Sequence, residues 1–182
     1  MTMQTLTSGN KPTFSIAYTF FDETRETEIS MLVEGDNILA FEQDGEQRTT
    51  RWNLDDLANW LRSFLSNMTD DPYPIETSGE FAANKDISAR DFDSDDEVEF
   101  DQYYDRLDEW NLRHRWHPAS NGAVLSDMYF QLVDGDVEIS WNNQDSEEGV
   151  DFKYKLGGVR IPKEQFYQAV DTFLQAYARH WY

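Results

Sequence analysis

Leu132-Val133-Asp134-Gly135-Asp136-Val137-Glu138-Ile139-Ser140-Trp141 decides the reading of this chain, because it repeats an earlier stretch, Leu32-Val33-Glu34-Gly35-Asp36-Asn37-Ile38-Leu39-Ala40-Phe41. Four of the ten positions are identical. In both, residues of strand character flank an acidic-Gly-Asp turn. Glycine supplies the positive φ that a tight turn needs, and aspartate can bond its own backbone. Each stretch reads as two strands joined by a hairpin.

A second match follows each hairpin. Arg51-Trp52-Asn53-Leu54-Asp55-Asp56-Leu57 and Arg160-Ile161-Pro162-Lys163-Glu164-Gln165-Phe166 both lead into helical spacing. Asn53 is a good N-cap, with Asp55 and Asp56 in the first turn. Pro162 suits the first helical position, with Glu164 behind it. Leu54, Leu57, Ala58, Leu61, Phe64, Leu65 and Met68 form one apolar stripe. Phe166, Ala169, Val170, Phe173, Leu174, Tyr177 and Trp181 form the other. Strands are expected at Phe14 to Tyr18, Glu28 to Val33 and Ile38 to Phe41, then at Met128 to Val133, Val137 to Trp141 and Asp151 to Leu156. The offset grows from 100 to 109 residues, placing nine extra residues in the second copy, within Asn142 to Gly149. The expectation is an α+β fold of two diverged βββα units, residues 1–68 and 123–182. They are joined by an acidic segment, 69–122, and packed as one pseudo-symmetric domain, since one small sheet with one helix is marginal alone.

Composition limits the functions. The 182 residues carry 36 acids against 15 lysines and arginines, a formal charge of −21. Such a surface repels nucleic-acid phosphates and anionic membranes and favours a basic partner. Aromatic residues reach 15%, so the mean hydropathy of −0.75 reflects a charged surface over a ring-rich core, not a disordered chain. The absence of cysteine excludes disulfides and thiolate metal sites and fits a reducing compartment. The first residues, Met1 to Ser8, lack the basic and apolar regions of a signal peptide, and no stretch has transmembrane length. The expected location is the cytoplasm. The oligomeric state is not legible.

The joining segment holds the densest charge. Thr69 to Asn84 is rich in turn residues and reads as a linker. From Asp91 to Glu109 there are ten acids and one base, Arg106. A helix follows, with Phe100, Tyr103, Tyr104, Leu107 and Trp110 on one face and helix breakers at Pro118 and Gly122. Asp91, Asp93 and Asp95 have the 1-3-5 spacing of a calcium loop, but Asp96 stands where glycine is required and Gln102 where glutamate is. Two readings remain: acids solvating the positive end of a helix, or a docking strip for a basic partner. The strip would comprise Asp91, Phe92, Asp93, Asp95, Asp96, Glu97, Glu99 and Phe100, with the apolar members as anchors.

Chemistry has thin support. His114 and His117 lie three apart, as in some metal sites, but Arg113 and Arg115 beside them oppose a bound cation. With Arg106 they read as a small basic patch facing the acidic run. HExxH, GxSxG, Walker and GxGxxG motifs are absent. The six tryptophans read as core. No catalytic residue, metal or cofactor is expected.

Asn53-Leu54-Asp55-Asp56-Leu57-Ala58-Asn59-Trp60-Leu61, followed by Asp71-Pro72-Tyr73-Pro74-Ile75, resembles the non-catalytic N-terminal region that accompanies ImmA/IrrE-type zinc peptidases in bacteria. The peptidase part and its HExxH are missing here, so no catalytic residue carries over. The resemblance implies a sensing or docking module of stress, toxin-antitoxin or phage-defence systems, acting alone. The leading expectation is therefore a non-enzymatic accessory, immunity or inhibitory protein that binds a larger, basic-surfaced protein. The alternatives are a DNA mimic that blocks a nucleic-acid-binding enzyme, and a small hydrolase or metal enzyme using His114 and His117.

Overall fold

The computed structural model describes residues 13–20, 26–67, 70–116, 124–144 and 148–181. The chain is α+β. Strands β1 (Phe14–Phe20), β2 (Glu26–Val33), β3 (Asp36–Asn37), β4 (Ala40–Gln43), β5 (Glu46–Thr49) and β6 (Arg51–Asn53) precede helix α1 (Leu54–Asn67). Helices α2 (Ala82–Ala89) and α3 (Glu97–His114) follow. Strands β7 (Arg115–Trp116), β8 (Asp127–Val133), β9 (Asp136–Asn142), β10 (Val150–Phe152) and β11 (Leu156–Pro162) lead into α4 (Lys163–Trp181).

All pairing is antiparallel. In the first sheet β2 lies between β1 and a broken strand, with β3 beside its end and β6 beside its start. The register Phe14↔Val33, Ile16↔Met31 and Tyr18↔Ile29 puts these side chains on one face. The second sheet has the order β11-β9-β8-β7. A small third sheet, β10-β4-β5, joins the two halves through Phe152↔Phe41 and Val150↔Gln43.

The strand expected at Ile38 to Phe41 is corrected. Ile38 and Leu39 are both buried in succession, so the chain must turn there instead of alternating. Asn37 makes the corner: its Oδ1 accepts from Leu39 N at 3.1 Å and its Nδ2 donates to Ser30 and Thr49. The strand expected at Asp151 to Leu156 is likewise two strands, β10 and β11, in different sheets. Pro162 ends β11, an edge strand that tolerates a missing donor, and α4 begins one residue later. Asn53 does cap α1, accepting from Asp55 N at 2.8 Å. Met68, Pro118 and Gly122 lie outside the described residues.

The repeated turns share a backbone conformation. Glu34-Gly35 and Asp134-Gly135 have positive φ throughout, 53° and 87° against 51° and 86°. Asp44-Gly45 makes a third such turn, between β4 and β5, at 54° and 76°. This is the twist that two-residue hairpins require. The strands around the turns pair differently: β6 returns to β2, on the same edge as β3, whereas β11 pairs directly with β9.

The main core draws on both ends of the chain. Phe166 of α4 stacks on Phe14 at 5.4 Å, and Phe173 meets Tyr18 edge-on at 5.5 Å. From α1, Trp60 and Phe64 pack on Phe130 of β8 at 5.1 and 5.8 Å, and Phe64 also meets Phe166. The tryptophans at 52, 60, 116 and 141 belong to this core, and Trp110 to a second cluster. Among the described residues, no helix is long and apolar enough to cross a membrane.

Phe130 is fully buried where α1, α4 and β8 converge. Phe130→Ala is expected to cost about 3–5 kcal/mol of unfolding free energy in urea titration. A loss below about 1 kcal/mol would show that this site collapses without a cavity.

Candidate functional site

The second sheet is buried on both faces. Met128, Phe130, Val137 and Ile139 point into the main core, so alternation sends Tyr129, Gln131, Glu138 and Ser140 to the other side. All four are buried there as well, beneath α2. Residues 82–84 were expected to belong to a linker, but α2 begins at Ala82. Its start, Phe81, offers no side-chain cap. The caps come from β9: Ala82 N donates to Glu138 Oε1 at 2.7 Å and Ala83 N to Ser140 Oγ at 3.2 Å. Gln131 also donates to Glu138 Oε1, at 2.9 Å. Gly158 permits the approach, since a Cβ there would fall 2.5 Å from the Phe81 ring. Asp86, on the same helix, accepts from Tyr129 and from two nitrogens of Arg90.

Helix α3 stands on this base. Tyr103 donates to the Ala89 carbonyl at 3.0 Å, and Trp110 Nε1 to the Asp71 carbonyl at 3.1 Å. Tyr73 meets Trp110 edge-on at 4.9 Å. His114 is buried, stacked on Trp110 at 4.4 Å. Its Nδ1 faces the Phe130 carbonyl at 2.8 Å and its Nε2 faces Asp71 Oδ2 at 3.0 Å. Both ring nitrogens thus face oxygen atoms within the fold. His117, the companion of His114 in the metal and hydrolase alternative, lies outside the described residues. Burial pushes the Asp71 carboxyl up, but hydrogen bonds from His114 and Arg113 outweigh it and hold it below the usual range.

The expected pairing of the basic patch with the acidic run is also corrected. Arg113 binds Asp71, Arg115 binds Asp127 through two bonds, and Arg106 Nε donates to the Gln102 carbonyl. Local geometry decides this: each cation reaches a nearer acceptor on its own helix, the linker or the adjoining strand.

The acidic run is ordered by its own caps. Asp96 accepts from Val98 N at 3.0 Å and Glu99 N at 3.3 Å, at the positive end of α3. Ser94 Oγ donates to Glu99 at 2.7 Å. Tyr104 binds the Arg90 and Phe92 carbonyls and so ties the loop to the helix. Asp91, Asp93, Asp95, Asp96, Glu97 and Glu99 are all exposed. Phe92 is turned inward and stacks on Tyr103 at 3.9 Å, so its contacts stabilise the loop. Phe100, 37% exposed, leans on Tyr104. No group of three or more potential metal-ligating side chains occurs among the described residues.

Two exposed anchors complete the surface. Val98 is 63% exposed and Leu112 81%; with Phe100 they are the large apolar residues left open among the described residues, and all three sit on α3. Leu112 was missed by sequence reasoning. Its signal was its place off the Tyr103, Leu107 and Trp110 face.

A separate open cleft of about 390 Å³ lies among Glu28, Asn37, Ala40, Gln47, Arg48, Thr49 and Lys153. Asn37 and Thr49 are satisfied by neighbouring groups, and Arg48 and Lys153 pair with Glu46 and Asp36. No protein-family model, curated protein or solved structure matches the chain.

Burial raises the Glu138 carboxyl, and the Ala82, Gln131 and Arg160 contacts only partly offset it. The folded chain therefore holds this proton where the unfolded chain has released it. The group's contribution is complete below the unfolded pKa and lost as pH rises through the folded one. Relative to wild type, Glu138→Gln should gain unfolding free energy as pH rises from about 4 toward neutrality. A pH-independent difference would rule this out.

Proposed function

We propose that the protein is a non-enzymatic docking module that binds a larger, basic-surfaced protein through the exposed acids and apolar anchors of α3 and the loop before it. The observation that carries this is the confinement of Val98, Phe100 and Leu112, the exposed large hydrophobics among the described residues, to the helix with the densest acids. Charge would set orientation and encounter rate, and the apolar anchors would supply affinity. The net charge of −21 works against nucleic acid or an anionic membrane as the partner. Resemblance to the region beside ImmA/IrrE-type peptidases supports a role in bacterial defence, phage conflict or toxin-antitoxin control, as an accessory, immunity or inhibitory component.

The test starts from affinity capture in the native host, followed by binding measurements with the purified partner. Changing Asp91, Asp93 and Asp95 to Asn and Glu97 to Gln should weaken binding about tenfold at about 0.1 M salt, with the melting curve unchanged. Wild-type affinity should fall as salt increases. Binding that ignores both changes would exclude the acidic surface as the docking site.

A further inference from the structure

We infer that the outward face of α3 is a heptad seam built to receive one basic helix of a partner protein, an inference that rests on the docking reading above. Val98, Asp105 and Leu112 are spaced by seven, with Asp101 and Asp108 between them. At about 100° per residue, these five share one face. All five are exposed, while Tyr103, Leu107, Trp110 and His114 occupy the buried side. The spacing is that of a and d positions: Val98, Asp101, Asp105, Asp108, Leu112. Val98 and Leu112 thus stand about 21 Å apart, at about 1.5 Å per residue, and bracket three carboxylates.

That arrangement selects its occupant. A seam four turns long is covered along its length only by an element running nearly parallel, which is the shallow crossing of coiled-coil packing. Three aspartates at seam positions repel a second copy of this chain, because like charges would face each other at the most desolvated positions. A helix with lysine or arginine at the three central seam positions and apolar residues at its ends meets both requirements. It pairs each carboxylate and covers both anchors. The inner face fixes the seam in place, since Trp110 and His114 hold α3 to Asp71 and β8.

The probe is a synthetic helical peptide of about five turns, with leucine at its two end seam positions and lysine at the three central ones. Fluorescence anisotropy with the full chain should show saturable binding that weakens with salt. A peptide of equal composition with its lysines moved to the opposite face should bind at least about tenfold more weakly. Leu112→Lys should also lose about tenfold, with unchanged thermal unfolding. Equal binding of the two peptides, or an unaltered Leu112→Lys variant, would overturn the seam. If the loop variant loses the native partner while Leu112→Lys keeps it, the seam fails and the docking reading stands. If neither variant changes native-partner binding, both fail. A dimer in sedimentation that Leu112→Lys dissolves would reassign the face to self-association and overturn the basic helix.

Discussion

Burial of the second sheet on both sides is the constraint from which the rest of the architecture follows. Strand alternation forces Tyr129, Gln131, Glu138 and Ser140 onto the face away from the main core. A polar face can be covered only by something that satisfies it, since each unmet buried group costs about 1–3 kcal/mol. An uncapped helix end is such a cover, because it carries unpaired N–H groups that need acceptors. The start of α2 supplies them to Glu138 and Ser140, and Gly158 lets the chain come close enough. The α2 N–H groups and the Glu138 Oε1 and Ser140 acceptors, costly alone, thereby satisfy each other, while Glu138 Oε2 and Gln131 Oε1 stay without a hydrogen-bond partner.

Once α2 is fixed, α3 has a platform. Tyr103 and Tyr104 reach back to carbonyls at the end of α2 and in the loop beyond it. Asp71 gathers His114, Arg113 and, through its carbonyl, Trp110. The half-buried Asp71 and the buried Glu138 respond to acid in opposite senses. Asp71 is held ionised by donors and loses its contribution as pH falls, whereas Glu138 is raised by burial and favours its proton. The joining segment is therefore held by groups with opposed pH dependence: Asp71 weakens its hold as pH falls below the usual carboxylate range, Glu138 as pH rises above it.

Much of this was legible locally, and the rest was not for physical reasons. Alternation located β1, β2, β8 and β9, Asn53 marked the start of α1 and the acidic run led into α3, because those signals are carried by neighbouring residues. Helix α2 was invisible since its cap lies 56 residues away, on Glu138. Nothing in the alternation of Val137, Glu138 and Ile139 signals that the Glu138 side is covered as well. The excursion of β4 and β5 was hidden by Ile38 and Leu39, whose consecutive burial depends on tertiary contacts. The likeness between the two hairpins is in turn chemistry. Asp44-Gly45 has the same conformation in an unrelated place, so the motif specifies a twist and leaves the pairing of its strands to the core. In the proposed site, the acids were found by composition, but the inward turn of Phe92 was set by Tyr103, eleven residues on.

In the proposed docking site, the same helix would separate stability from recognition by face. Its inner residues carry aromatic packing and hydrogen bonds; its outer residues carry repelling charge. Repulsion among exposed carboxylates is modest, because salt screens beyond about 10 Å at 0.1 M, and the first acids also complement the helix dipole. A disordered acidic tail would avoid the repulsion but would have to be ordered on binding, at an entropic cost that lowers affinity. Holding the acids on a helix anchored through Trp110 and His114 accepts the smaller penalty in the unbound protein and removes the larger one from the bound state. Under the docking proposal, this is the physical reason for an acidic surface to sit on a firmly clasped part of the joining segment.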